Sequence, residues 1–580
     1  METATDHRRA FYARYLLLIA GLGGLLYGVD IGVISAALLY VGKTIDLTVV
    51  ETSAIVAAVL AGSMVSSLLA GLLADWLGRK KMMIVSGLLF VVSVALIVGS
   101  RGFAILLAGR LLQGMSGGVI AVVVPLYLAE SLSAEKRGRG TAIFQFMLTF
   151  GVVVASLTGW YFIREATFAI DAAHGDPWLI RAAEDHAWRS MFMAVIYPGL
   201  CFFAGTFFLT ESPRWLYRKG RIDEALAVCR RTLSPEEARA EMAQMEAAVA
   251  VKQNTGAKEG SLLQRKYIFP FLLACAVLIC TQASGVNSIL SYQVLILKQA
   301  GMTAPHAAQG DLLVKLLHCL VTIVAIPLID ARGRKFLLTI GTGGLFISLL
   351  GVAFLFHGIE STHTDVRTKL ESAIGGNSLQ ISAASLKTWS GSSGKPVVLS
   401  ILYSYGDGEK SASLNSDANE TLRIEPAAKH ANARLMVHRA ELGPAPGESS
   451  GWIAALLLAI FISSHSIGPG VVVWLVLSEL MPIRIRSVGM GIALVLNQGV
   501  STSIAGAFLS VVTHFGYATL FGCCAVATAG YFLLAVFVLP ETKGKSLEEI
   551  EQMFEGSGKA RIGNKLPETG AGSQRSSASV

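Results

Sequence analysis

Charge is scarce in this chain: Asp, Glu, Lys and Arg make up 15% of 580 residues, against 53% hydrophobic residues and a mean hydropathy of +0.57. A chain so poor in ionisable side chains cannot clothe a globule in a water-facing surface, which excludes a soluble domain for most of its length. Cysteine is rarer still, seven in all. Each lies in or beside an apolar run or, like Cys229, in a connecting segment, so neither a disulfide framework nor a metal site is expected. A phosphate-binding glycine loop, a nucleophile triad and a metal-ligand cluster are all missing as well. No enzyme, metal or cofactor is expected.

What the chain has in excess is long apolar runs. About twelve can cross a hydrocarbon layer of roughly 30 Å, which takes about 20 helical residues. They fall at approximately 15–40, 51–74, 82–100, 103–129, 140–163 and 189–209, then 267–298, 311–329, 336–357, 452–478, 487–512 and 516–539. Lipid offers backbone N–H and C=O groups no partner, so these runs are expected to be helices of an integral, multi-pass membrane protein. The formal charge of +8 and pI near 9.0 do not point to nucleic acid, because of where the basic residues fall. Arg79, Lys80 and Lys81, then Lys136, Arg137 and Arg139, then Arg332, Arg334 and Lys335, then Arg484 and Arg486 occupy alternate short connections; those between carry only Lys43 or Arg101. The positive-inside rule places the basic loops and both termini in the cytoplasm. The first run, preceded by Arg8, Arg9 and Arg14, is long and lacks a clean small-residue cleavage site, so it reads as a retained helix and not a signal peptide.

Three short motifs occur twice in the same order. Asp75-Trp76-Leu77-Gly78-Arg79-Lys80 matches Asp330-Ala331-Arg332-Gly333-Arg334-Lys335, Glu130 and Arg137 match Glu479 and Arg486, and Leu209-Thr210-Glu211 echoes Leu539-Pro540-Glu541. All sit at cytoplasmic ends of spans, which implies two six-helix halves of common orientation. The second half is longer between its first two motifs, and the excess falls on a polar exterior stretch at 358–450. A smaller excess in the first half reads as an exterior loop near 164–187. The chain then divides into an N-terminal bundle (1–210), a cytoplasmic helical linker (211–265), helices seven to nine (266–357), the insertion (358–450), helices ten to twelve (451–545) and a cytoplasmic tail (546–580).

The paired D-x-x-G-R-K segments resemble those of the major facilitator superfamily. Glu211-Ser212-Pro213-Arg214 and Pro540-Glu541-Thr542-Lys543-Gly544 resemble the sugar porter signatures PESPR and PETKG, with Thr210 in place of the usual proline. The resemblance covers nearly the whole chain outside the insertion. It implies an all-α polytopic membrane protein of the major facilitator fold, with twelve transmembrane helices in two six-helix bundles. The transport unit is expected to be a monomer working by alternating access in the plasma membrane of a bacterium. The resemblance further implies a cytoplasmic gate made by Asp75, Arg79, Glu130 and Arg137 with Asp330, Arg334, Glu479 and Arg486. Charge pattern alone is equally met by positive-inside anchoring, since exposed ion pairs are individually weak.

Asp30 lies near the middle of the first run, where a lone carboxylate is costly unless paired or protonated. In the family the residues at Asp30 and Arg110 face each other, and proton-coupled members carry the aspartate as their protonation site. Burial favours the protonated form of a carboxyl and a nearby Arg its charged form, so a helix movement that changes their separation can couple a proton to transport. A static buried salt bridge is the plainer alternative.

A sugar offers many hydroxyls and one apolar face, so a site for it needs amides beside an aromatic ring. Gln145, Gln282, Asn287 and Asn497 are amides within runs, and Trp474 follows Gly468-Pro469-Gly470, which reads as a break in a helix beside a cavity. By resemblance each of the five matches a sugar-contacting position, and His318 falls where the family places an asparagine. Read as residues alone, the amides can instead bond neighbouring helices, and Trp474 and His318 can pack. Thr281, Ser291 and Gln498 depart from the family pattern at the positions that set specificity, and Lys315 is expected to snorkel out of the site.

Segment 358–450 reads either as a small β-rich exterior domain, with strands at 395–403 and 434–438 and a turn at 406–408, or as a flexible polar loop. Asn419-Glu420-Thr421 matches a glycosylation sequon. The Gly/Ser-rich end after about 556 is expected to be disordered. The reading as a whole is proton-coupled symport of a monosaccharide, a hexose or a pentose, with the sugar, a proton and the bilayer as partners and no nucleic acid. The alternatives are a proton-independent sugar or polyol facilitator or exchanger, and a transporter-like sugar receptor.

Overall fold

The computed structural model describes residues 2–132, 134–254, 265–375, 377–390, 396–406, 408–417, 421–426, 433–481 and 486–543, with 545, 549 and 554; for 2–6, 8, 134–139, 141, 248–254, 265–266, 330 and 486–488 it describes the backbone alone. The sequon asparagine Asn419 and the Gly/Ser-rich chain end lie outside the described residues.

Among the described residues, eleven helical stretches are long and apolar enough to span a membrane. The last is two spans joined at Gly516, where φ is 86° and ψ is 166°. The first half comprises α1 (Glu2–Thr44), α2 (Val49–Leu77), α3 (Arg79–Gly99), α4 (Phe103–Ser131), α5 (Ala134–Ala172) and a sixth span formed by α6 (Pro177–Ala194) and α7 (Ile196–Thr206). The short helices α8 (Pro213–Arg218), α9 (Ile222–Thr232) and α10 (Pro235–Asn254) lead to the second half. There α11 (Arg265–Ala283) and α12 (Val286–Gln299) form a broken span, followed by α13 (Ala304–Arg332) and α14 (Arg334–Glu360). An insertion containing α15 (Arg367–Ser372) and α16 (Ala383–Ser390) intervenes before the broken span α17 (Glu448–Ile467) and α18 (Pro469–Leu480), and the chain ends its bundle with the bent α19 (Arg486–Leu533). Leu72, Ile347 and Phe537 are among many large apolar side chains left exposed on the outside of the helices, as a surface that meets lipid requires.

The loop expected near 164–187 is helical. α5 runs to Ala172 and α6 starts at Pro177, because Asp176 caps α6 by accepting from the Trp178 and Leu179 N–H groups and proline suits the first helical position. The extra length of the first half extends two helices beyond the bundle.

A local device recurs three times. Gly78, Gly333 and Gly516 have φ of 100°, 90° and 86°, and the helix that starts after each receives a glutamate carboxylate on its free N–H groups. Glu211 accepts from Arg79 N (2.8 Å) and Lys80 N (3.1 Å), Glu541 from Arg334 N and Lys335 N (both 3.0 Å), and Glu360 from Tyr517 N (2.6 Å) and Ala518 N (3.2 Å). A Cβ on Gly333 would meet Glu541 Oε2 at 2.7 Å. Gly333→Ala is therefore expected to lower stability by about 1–3 kcal/mol, the usual cost of such backbone strain, seen as a fall in melting temperature of the purified protein. The Glu541 carboxyl sits below its ordinary value: partial burial alone would raise it, but backbone N–H donors of Lys543, Arg334, Lys335 and Thr542 outweigh that. Its contribution to stability is complete above about pH 4.5 and is lost as pH falls through the lowered folded value. Melting temperatures of the wild type and Glu541→Gln should converge on acidification; a constant gap would contradict the cap.

The insertion folds as an antiparallel sheet in the order β1 (Thr364–Asp365), β6 (Met436–Pro444), β3 (Val397–Ser404), β4 (Glu409–Asn415), beside a two-stranded pair of β2 (Leu379–Ser382) and β5 (Thr421–Ile424). The two segments expected as strands are its central β3 and β6. Leu399, Ile401, Val437 and Leu442 alternate into its own core. It touches both halves: Lys410 pairs with Asp46 at 2.8 Å, Arg439 donates to Thr513 O at 2.9 Å, and Glu409 meets His514 at 3.2 Å. The bundle thus has an insertion face and, opposite, a basic face bearing the repeated motifs.

Candidate transport site

Two broken spans shape the middle of the bundle. Between α11 and α12 the chain turns at Gly285, whose φ of 79° is left-handed; only glycine adopts it freely. The break lets residues on either side meet: Asn287 Nδ2 donates to Gln282 Oε1 at 3.0 Å and to Ser501 Oγ at 2.9 Å, and Gln282 Nε2 donates to Asn497 Oδ1 at 3.3 Å. Asn497 is anchored in turn on Leu278 O at 3.1 Å. Three of the expected amides, from α11, α12 and α19, are therefore one hydrogen-bonded group. Such amides keep further donors and acceptors for a hydroxylated solute. The second break is at Gly468, outside helical geometry at φ −103° and ψ −97°, where the chain passes so close to Gly341 of α14 that neither tolerates a side chain.

Gln145 stands on α5 one turn before Thr149, whose hydroxyl contacts Cys319 Sγ of α13 at 3.6 Å, the neighbour of His318. Gln145 and His318 thus come from opposite halves, each within about one turn of that contact. Among the described residues the Nδ1 atoms of His318 and of His465 on α17 have no hydrogen-bond partner, and the two rings lie close enough to interact electrostatically. Trp474, on α18 after the break, is 50% exposed. Thr281 turns away from the amide group to its own helix and to the Tyr531 hydroxyl at 2.9 Å, while Gln498 reaches Ser63 of the first half at 3.5 Å. Lys315 does not snorkel as expected: it is wholly buried, because Asp311 one turn earlier supplies its counter-charge at 2.9 Å. Ser501, His465 and Asp311 were not singled out in the sequence; the i,i+4 spacing of Asp311 and Lys315 was the one readable sign.

Asp30 and Arg110 are each 1% exposed, and Arg110 Nη1 lies 3.6 Å from Asp30 Oδ1, beyond hydrogen-bond length. The guanidinium is held instead by Gln113, whose Oε1 accepts from Nη1 at 2.7 Å, and by the Phe192 ring at 5.6 Å. Neither Asp30 oxygen has a hydrogen-bond donor among the described residues. On the basic face Arg79 pairs with Glu130 and Asp75 at 2.8 Å, and Arg334 with Glu479 at 3.1 Å, each pair within one half. The side chains of Arg137, Asp330 and Arg486 lie outside the described residues.

The family model described as "Sugar (and other) transporter" matches residues 16–374 and 433–554. The chain belongs to the sugar porter family of the major facilitator superfamily. It is 28% identical over 552 residues to the glucose transporter GlcP of Staphylococcus epidermidis, covering 93% of this chain and 96% of that one. Over 559 residues it is 30% identical to the probable inositol transporter 2 of Arabidopsis thaliana, covering 94% and 92%. Over 561 residues it is 26% identical to the galactose-proton symporter of Escherichia coli, covering 96% of each. An inward-open structure of the E. coli xylose transporter XylE superposes with a TM-score of 0.65 at 19% identity, covering 93% of this chain and 98% of that one. The fold is accordingly the major facilitator fold of twelve membrane helices with a small sheet insertion.

Proposed function

We propose that this transporter carries a monosaccharide into the cell together with a proton, as a monomer in a bacterial plasma membrane with its basic face in the cytoplasm. The observation that carries the reading is Asp30: a fully buried carboxylate, without a donor among the described residues, beside a guanidinium that is itself bonded elsewhere. Such a pair is free to exchange a proton as the Arg110 distance changes. The galactose-proton symporter among its relatives agrees with coupling. The amide group formed by Gln282, Asn287 and Asn497 suits a neutral, hydroxyl-rich solute. A cyclic polyol is the second reading, favoured by the relative named as a probable inositol transporter. On this reading Arg79, Glu130, Arg334, Glu479 and their neighbours hold or release the cytoplasmic side as the halves rock.

Uptake of labelled hexoses, pentoses and inositol into proteoliposomes, with and without an imposed pH gradient, tests the proposal. Accumulation under the gradient alone supports it; equilibration that ignores the gradient refutes it. With the solute so identified, Asn287→Ala is expected to raise its KM about tenfold, the equivalent of ~1.4 kcal/mol for buried partners left unpaired. A KM unchanged within twofold would remove Asn287 from the site.

A further inference from the structure

Asp311 and Lys315 stand one turn apart on α13, both fully buried. Charged side chains inside an apolar span are costly and mark function more often than packing. Lys315 Nζ lies 2.9 Å from Asp311 Oδ1 and 3.0 Å from Oδ2. The rest of the carboxylate's accepting capacity is used across the seam between the two halves. The Ser156 hydroxyl of α5 donates to Oδ2 at 2.8 Å, and the Ser35 hydroxyl of α1 donates to Oδ1 at 3.3 Å. Ser35 in turn accepts from Val294 N of α12 at 3.2 Å. One carboxylate of the second half thus holds two helices of the first, on the insertion-face side of the amide group. The contrast with Asp30 is chemical: among the described residues Asp30 has no donor, whereas Asp311 has three. The first is free to change its state, and the second is built to hold.

We propose that Asp311 is a positioning residue that latches the insertion face shut, with Lys315 as its built-in counter-charge. Opening that face requires α1 and α5 to leave α13, so both serine bonds break in each cycle. Lys315 travels with Asp311 on the same helix and keeps the carboxylate neutralised while the seam is open. Hydroxyls bonded to a charged acceptor hold more firmly than hydroxyls bonded to one another, and the fixed lysine prevents the release from stranding a bare charge. The strength of the two serine bonds therefore sets the fraction of molecules open to the outside. This rests on alternating access, as the proposed function does, but on neither the solute nor the proton; loss of coupling in an Asp30 variant leaves it untouched.

Hydrogen–deuterium exchange of the purified full chain tests it, comparing the wild type with a Ser35→Ala/Ser156→Ala double variant and an Asp311→Leu/Lys315→Met double variant. The second removes both charges together, so no unpaired ion threatens folding. Each is expected to speed exchange at least threefold at 33–40, 154–162 and 308–316. Each should also slow exchange at the basic-face ends of α4 and α18, because the population moves from one open face to the other. Faster exchange on the insertion face with no slowing opposite would mean mere local loosening, and exchange unchanged on both faces would mean no latch; either result overturns the proposal.

Discussion

Asp30→Asn is expected to abolish uphill accumulation while leaving exchange of solute down its gradient at a rate near that of the wild type. A membrane potential of 100 mV contributes about 2.3 kcal/mol per charge, which for one proton per solute is roughly fifty-fold accumulation. Asparagine has nearly the shape of the protonated acid but cannot release a proton, so the halves can still rock around the loaded site with nothing to drive them. Arg110 keeps its Gln113 bond and its place against Phe192 in this variant. The guanidinium is therefore not left without contacts, and folding should survive. Potential-driven uptake and counterflow, measured in the same proteoliposomes, separate the outcomes. If the ion pair only staples α1 to α4, both assays should fall together with folded yield. A variant that still concentrates its solute fifty-fold would end the case for Asp30 as the proton carrier.

The spans, the repeat and the break at Gly468 were legible because each rests on local chemistry: apolar length, a recurring motif, and glycine with proline where backbone bonds are lost; the break at Gly285, which has no proline beside it, was not. The strands at Val397–Ser404 and Met436–Pro444 showed in their composition for the same reason. What could not be read was chemistry between segments distant in the chain. Glu211 and Glu541 stood out as repeated residues, yet nothing local says that each caps a helix starting more than a hundred residues earlier. Lys315 looked like a snorkelling side chain because its position near a helix end suits one. Its burial depends on Asp311, and the worth of Asp311 depends on serines of the other half. The polar stretch at 164–187 misled in the other direction: charged residues suggested a loop, but the Asp176-Pro177 cap starts a helix there. The amide group of the site was reached through family resemblance, whereas Ser501 and His465, outside that pattern, came only from geometry.

Arg79→Met is expected to remove most of the folded protein, and Arg334→Met, at the matching position of the repeat, far less. Arg79 is 2% exposed; its Nη2 lies 2.9 Å from Glu130 Oε1 and 2.8 Å from Asp75 Oδ1, its Nε 2.8 Å from Glu130 Oε2, and its Nη1 donates to Ala74 O at 2.9 Å. Without it the buried Glu130 keeps the Ser212 hydroxyl and a half-exposed Arg218 at 3.3 Å. Removing one partner of a buried pair costs about 3–5 kcal/mol, a large share of the ~5–15 kcal/mol that keeps a protein folded. Arg334 and Glu479 are 14% and 19% exposed and 3.1 Å apart, so water replaces part of what is lost and about 1–2 kcal/mol is the expected cost. Monodisperse yield and melting temperature of the two variants should differ accordingly, and Glu130→Gln added to Arg79→Met should restore part of the loss by removing the stranded charge. Equal damage from both arginines would contradict this account. The repeat gives the two halves the same residues but different stakes: the first-half cluster is sunk into the fold, while water reaches the second-half pair.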